Sequence, residues 1–202
     1  MGYRAIALSQ VDGAGGEVIG RDLARKLGFG YLNEAIVAQV AKDHDVDQAV
    51  VVGAERRKSF LIRVAEMAAR GSVDVPPDPS LHAFDETDTL LSLIRDAVRD
   101  AADHGSVVLV AHAACYACAG RSDVLRVCVT APLPARVSRV ASALGISDKE
   151  AAKSLRQSDA GRASYLKRVY GVGRESPTDY DIVLNTERLA PEAAAGLILG
   201  LV

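Results

Sequence analysis

Apolar residues fall in two rhythms along this chain. Short, nearly unbroken apolar runs occur at 6–8, 107–111, 124–129 and 182–184. Between them, apolar positions recur at helical spacing: Val18, Ile19, Leu23 and Leu27, and again Leu90, Leu91, Ile94 and Val98. Continuous runs of this length are expected of strands buried on both faces, as in a parallel sheet. Residues 29–32 read as a short second strand or an extended link. Strand alternating with helix predicts a three-layer α/β fold around a parallel sheet of about five strands.

Local signals set the boundaries. The first helix runs from about residue 15 to 26 and stops at Gly28, a glycine suited to a left-handed cap. Asn33 is placed to cap a helix through Ala35, Ile36 and Val40. Residues 48–71 read as helical, and the proline-rich stretch 75–79 as a loop. Asp85 or Thr87 opens a long amphipathic helix ending near His104. Pro132 starts the next helix. Ser147 and Glu150 have capping-box spacing ahead of a basic helix pair over 149–168, and Pro191 starts a C-terminal helix.

Composition narrows the classes of function. At 202 residues, 49% of them hydrophobic, the chain suits a single domain over 1–202. A net charge of −2, no Trp and only 4% aromatics argue against a nucleic-acid partner. The longest apolar runs are too short to span a bilayer, and the first residues lack a signal-peptide pattern, so a cytoplasmic, non-membrane protein is expected. Three cysteines, an odd number, argue against a disulfide framework. Cys115 and Cys118 have C-x-x-C spacing without a second pair. Asp43, Asp45 and Asp47 lack the glycine and distal glutamate of a calcium loop, so no metal site is expected.

The chemistry concentrates at 6–20, I-A-L-S-Q-V-D-G-A-G-G-E-V-I-G. A strand, a small-residue turn and an immediate helix aim backbone N–H groups at a phosphate. A Walker A loop would read G-x-x-x-x-G-K-[ST]. Counting from Gly13 puts Val18 at the second glycine, and counting from Gly15 ends at Gly20-Arg21-Asp22; neither register has lysine or hydroxyl. Two further features follow predicted strands, where open α/β sheets bind ligands. One is His112. The other is Thr130-Ala131-Pro132, leading to Arg136 and Arg139. Arg156, Asp159 and Arg162 recur every third residue, so the carboxylate could steady a guanidinium on the same helix face.

Taken together these segments resemble the cytidylate kinase-like proteins, a branch of the nucleoside monophosphate kinases. The opening motif is similar to S-R-Q-x-G-S-G-G-x-x-I-[GA], which also lacks the lysine. L-A-R-K-L-G-F-G-Y-L-N at 23–33, V-V-L-V-A-H-A at 107–113, L-R-V-C-V-T-A-P at 125–132, S-D-A-G-R-A-S-Y-L-K-R-V-Y-G at 158–171 and Y-D-I-V-L-N-T at 180–186 follow in the family's order. The resemblance implies a P-loop NTPase fold with a helical segment for the monophosphate over 34–80 and a helical lid over 145–172. It implies ATP with Mg²⁺ as cofactors and a nucleotide substrate. Gly13, Ala14, Gly15, Gly16, Glu17 and Val18 would cradle ATP phosphates, with Arg136 and Arg139 beside the adenine or the phosphates. Arg156 and Arg162, with Asp159, would close on the transferring group, and His112 would stand at the acceptor site. Three positions depart from the pattern: Gln10 replaces arginine, Ala14 replaces serine, and Ala111-His112 replaces Gly-Arg. The implied activity is phosphorylation of a monophosphate such as CMP or dCMP. The alternative is a degenerate nucleotide- or phosphate-binding sensor or interaction protein. The helices over 34–71 could supply a homodimer interface.

Overall fold

The structure is a computed structural model that describes residues 2–33 and 88–202. Its centre is a five-stranded, wholly parallel sheet built from β1 (Ala5–Gln10), β2 (Gly30–Asn33), β3 (Val107–Ala111), β4 (Val124–Thr130) and β5 (Ile182–Asn185). The strand order is β2-β3-β1-β4-β5. β1 runs from Ala5 opposite Val107 to Ser9 opposite Ala111 on one side. On its other side it pairs with β4 from Ala5 opposite Val124 to Gln10 opposite Val129. The chain therefore builds to one side of β1 with β2 and β3, then crosses to the other side with β4 and β5. The C-terminal end of β1 is where such sheets open a crevice for ligands.

The apolar runs became strands because both sheet faces are covered. Ile6 and Leu8 of β1, Leu109 of β3 and Leu125 of β4 are fully buried. Each such side chain contributes about 1.5–3 kcal/mol by leaving water. Above and below lie α1 (Gly16–Leu27), α2 (Asp88–His104), α3 (Ala114–Ala117), α4 (Leu133–Leu144), α5 (Asp148–Tyr170) and α6 (Pro191–Leu199). α1 packs on β1, β2 and β3 and against α6, burying Ile19, Leu23 and Ile198. α2 packs on β3 and α3, and α3 on β1, β3 and β4. α4 and α5 pack against each other between β4 and β5 in the chain. Gly20 lets α1 ride close on the sheet: a Cβ there would lie 2.4 Å from Val110 Cγ2.

Most boundaries follow the local signals. Gly28 caps α1 at φ 68°, and Ser147 and Glu150 complete a reciprocal capping box on α5. The expected basic helix pair is one continuous helix of 23 residues. Asn33 ends β2, and the helix it is expected to cap lies outside the described residues. The short helix α3, which contains Cys115 and ends at Cys118 as its C-cap, had no periodic signal. Cys115 and Cys118 are buried there. The segment expected at 34–80, its helices and its aspartate run lie outside the described residues. Among the described residues, no helix is long and apolar enough to cross a membrane.

Candidate active site

The strand–helix junction is shaped by two left-handed glycines. Gly13 has φ 76° and Gly15 φ 84°, a region that a Cβ penalises by roughly 1–2 kcal/mol. Gly15 is the N-cap of α1 and has no side chain to satisfy the helix. The first-turn N–H groups of α1 have no acceptor within the helix, and the helix dipole adds partial positive charge there. That is an anion site built from backbone alone.

The carbonyls of the same loop are tied back. Gln10 O accepts from Arg162 Nη1 at 3.2 Å. Asp12 O accepts from Arg136 Nη1 at 3.2 Å and Gly13 O from Arg139 Nη1 at 3.2 Å. Ala14 O accepts from the Thr186 hydroxyl at 2.7 Å. In a trans peptide the C=O and the following N–H point in opposite directions. Anchoring the carbonyls on one side thus commits the following amides to the other. Two of these amides are already engaged: the Val11 N–H donates to Val129 O at 3.3 Å, and the Ala14 N–H closes a turn onto Val11 O at 3.1 Å.

Two of those arginines are buried and carry carboxylate partners. Arg136 donates to both oxygens of Asp159, at 2.9 and 2.7 Å, and through Nε to Ala131 O. Arg162 makes the same two-pronged contact with Glu175, with Nε to Oε2 at 3.0 Å. Burial alone would lower the Arg162 pKa, but the Glu175 hydrogen bonds and charge outweigh it and the pKa is raised. Asp159 was expected to steady a guanidinium on its own helix face. Its carboxylate pairs with Arg136 on α4, so it joins α5 to the helix beside the loop. Arg156 is exposed on α5, and Arg139 is exposed at the loop edge.

His112 follows β3, and its Nδ1 lies 3.2 Å from Gln10 O. Its Nε2 stands 3.7 Å from Asp12 Oδ1. The other Asp12 oxygen accepts from the Ser158 hydroxyl of α5. His112, the loop and α5 therefore meet at one carboxylate. Glu17 turns along α1 to Arg21 at 3.2 Å, and the Asn33 amide donates to it at 3.4 Å. Beyond α5, Glu175 also accepts from the Tyr180 hydroxyl, and Tyr116 donates to Asp179 at 2.9 Å. This polar and aromatic group, with Tyr170 packed on Tyr116, anchors the end of α5 to α3.

Beside the loop lies a cavity of about 440 Å³. Val18, Val140, Ala143, Leu189, Ala190 and Pro191 give it apolar walls. Gly13, Ala14 and Gly15 form the side facing the loop, and Arg139, Thr186, Glu187 and Arg188 supply the polar groups.

The sequence model of the cytidylate kinase-like family matches residues 5–188. The chain belongs to that family. Among its relatives, the cytidylate kinase of Methanopyrus kandleri is 31% identical over 144 residues, 66% of this chain and 72% of the relative. That of Ignicoccus hospitalis is 26% identical over 194 residues, 96% and 95% of the two chains. An uncharacterized protein from Eubacterium ventriosum has a solved structure with TM-score 0.65 at 16% identity, covering 97% of this chain and 96% of that one. Shikimate kinase from Acinetobacter baumannii in complex with shikimate gives TM-score 0.54 at 15% identity, over 98% and 92%. These structures establish the shared fold, that of the P-loop kinases, and family membership supports a nucleoside monophosphate kinase in general terms.

In this family member the helix start selects a third motif register. With Gly15 as the glycine before the helix, Gly16 stands at the lysine position and Glu17 at the hydroxyl position. A Cβ on Gly16 would lie 2.5 Å from Gln10 Oε1. Gln10 thus lies across the path a lysine would take, and two departures from the usual motif are one packing arrangement. Sequence reasoning missed Thr186, Glu175, Asp12 and Ser158. Only tertiary contact reveals them, although Asn185-Thr186 closes the last strand motif.

Proposed function

We propose that this family member transfers the terminal phosphoryl group of ATP to a nucleoside monophosphate, CMP or dCMP. The observation that carries the reading is the glycine loop with its carbonyls tied back, opening beside the 440 Å³ cavity in a chain of this family. The amides of Gly13, Gly15, Gly16, Glu17 and Val18 receive the donor phosphates, Ala14 shaping the turn, and the cavity takes the base with Arg139 at its edge. Arg136 and Asp159 hold the lid helix to the loop. Arg156 and Arg162 neutralise charge on the transferring group, and His112 faces the acceptor. An acceptor phosphate oxygen forms the new bond to the γ-phosphorus as the bond to the β-phosphate oxygen breaks, leaving ADP. Positioning and charge neutralisation suffice, with no covalent intermediate on the protein.

The loop fits nucleotide phosphates. It does not offer a protein-held Mg²⁺: the hydroxyl position is Glu17, engaged by Arg21 and Asn33. Among the described residues no three acidic, histidine or cysteine side chains form a metal cluster. Mg²⁺ then enters on the phosphates of the nucleotide, and no step is assigned to a protein ligand for it.

One observation favours a second reading, binding without turnover. Arg136 and Arg162 already face Asp159 and Glu175, which must release or share them with phosphate. Titration calorimetry with Mg·ATP and a panel of monophosphates, followed by a phosphoryl-transfer assay, separates the two. Transfer to CMP or dCMP supports the kinase. Binding with no transfer supports the second reading, and no binding of any nucleotide sinks both.

A further inference from the structure

Thr186 stands one residue beyond β5 and is only 2% exposed. Its backbone N–H donates to Thr130 O at 2.8 Å, fixing it to the end of β4. A threonine hydroxyl has one proton to give. Here the shorter contact is to Ala14 O at 2.7 Å, with Thr130 O further away at 3.3 Å. The oxygen in turn accepts from Arg139 Nη1 at 3.2 Å, and Arg139 Nη2 donates to Thr186 O. Arg139 Nη1 also reaches Gly13 O. Thr186 and Arg139 together hold two successive carbonyls of the glycine loop, and both residues line the cavity.

We propose that Thr186 is a positioning residue for phosphate binding, an inference that rests on the reading of the loop as a phosphate site. With Ala14 O held on the Thr186 side, the N–H of Gly15 in the same peptide unit points to the opposite side. Gly15 lies in the left-handed region, so its peptide is free to rotate unless something fixes it. The Thr186 hydroxyl supplies that constraint from the end of the sheet.

The test compares Thr186→Val, which keeps the shape and loses the hydroxyl, with Thr186→Ser, which keeps the hydroxyl. Amide hydrogen exchange over residues 11–17 is followed in the ligand-free chain. Binding of inorganic tripolyphosphate and of adenosine is measured separately by calorimetry. Loss of one neutral hydrogen bond is expected to raise loop exchange and weaken tripolyphosphate roughly three- to tenfold in T186V. Adenosine binding should change less than about twofold, and T186S should match the parent chain. Unchanged loop exchange in T186V overturns the proposal. So does an equal loss for tripolyphosphate and adenosine, or a T186S that behaves like T186V, since packing rather than the hydroxyl would then be responsible. If the parent chain binds no tripolyphosphate, the phosphate reading fails, and the exchange comparison still decides whether Thr186 fixes the loop.

Discussion

Replacing Glu175 by alanine strands a buried guanidinium. The Arg162 side chain is 4% exposed and Glu175 32%. The substitution removes both carboxylate contacts of Arg162 and the acceptor of the Tyr180 hydroxyl, leaving Gln10 O as a neutral partner. Breaking a fully buried ion pair from one side costs about 3–5 kcal/mol. Water can approach through the exposed third of Glu175, which reduces this to about 2–4 kcal/mol. For a chain of this size each kcal/mol lowers Tm by about 2–4 °C, so a fall of about 4–16 °C is expected. Thermal and urea unfolding of Glu175→Ala, Glu175→Gln and the double variant Arg162→Met with Glu175→Leu measure it. The glutamine should lose less than the alanine, because it keeps one acceptor. The double variant should recover at least half the loss, since no charge is left buried. A fall under 2 °C for Glu175→Ala, or a double variant no more stable than the single, would refute this account.

Three other outcomes follow from the geometry. Gly20→Ala forces α1 off β3 and should cost about 1–3 kcal/mol, with Val110→Ala restoring part of it; a neutral Gly20→Ala in urea unfolding contradicts the close approach. Burial pushes the thiol of Cys115 up to about 12 and those of Cys118 and Cys128 to about 11. In the unfolded chain they ionise near the ordinary value, about 8.5. Stability from these neutral thiols is therefore complete below about pH 8.5 and is lost progressively towards pH 11–12. A Tm flat from pH 7 to 10.5, or a slope unaltered by Cys115→Ala, would count against it. Arg156→Glu should leave stability within about 0.5 kcal/mol, because Arg156 is exposed, while slowing phosphoryl transfer at least about tenfold, a loss of about 1.4 kcal/mol in transition-state stabilisation; an unchanged rate removes Arg156 from the site.

Four of the five strands were legible because each carries a short apolar run, and burial on both faces keeps Ala5–Leu8 of β1 and the whole of β3 apolar; β2, four residues long, read equally as a link. Gly28 and the Ser147–Glu150 box marked helix ends for the same reason: capping is local. The site was less legible because its contacts are not local. Asp159 lies three residues from both Arg156 and Arg162, yet its carboxylate reaches across to Arg136, 23 residues away. Thr186 meets Ala14 across 172 residues. No periodicity encodes such a pairing. The missing lysine looked like a simple loss of charge. The structure supplies three arginines to the loop through its carbonyls instead, and Gln10 fills the space beside Gly16.

The central place of β1 also bears on how the chain is made. β1 leaves the ribosome first, but its two neighbours are β3 and β4. Its second ladder closes only after Thr130 has emerged, roughly 125 residues later. At usual rates of synthesis that wait is about 6–25 s. Throughout it, Ala5, Ile6, Ala7 and Leu8, all without solvent exposure in the finished protein, lack at least one of their two neighbouring strands. The strand that becomes the floor of the candidate crevice is thus a part of the nascent chain that depends for long on shelter from aggregation.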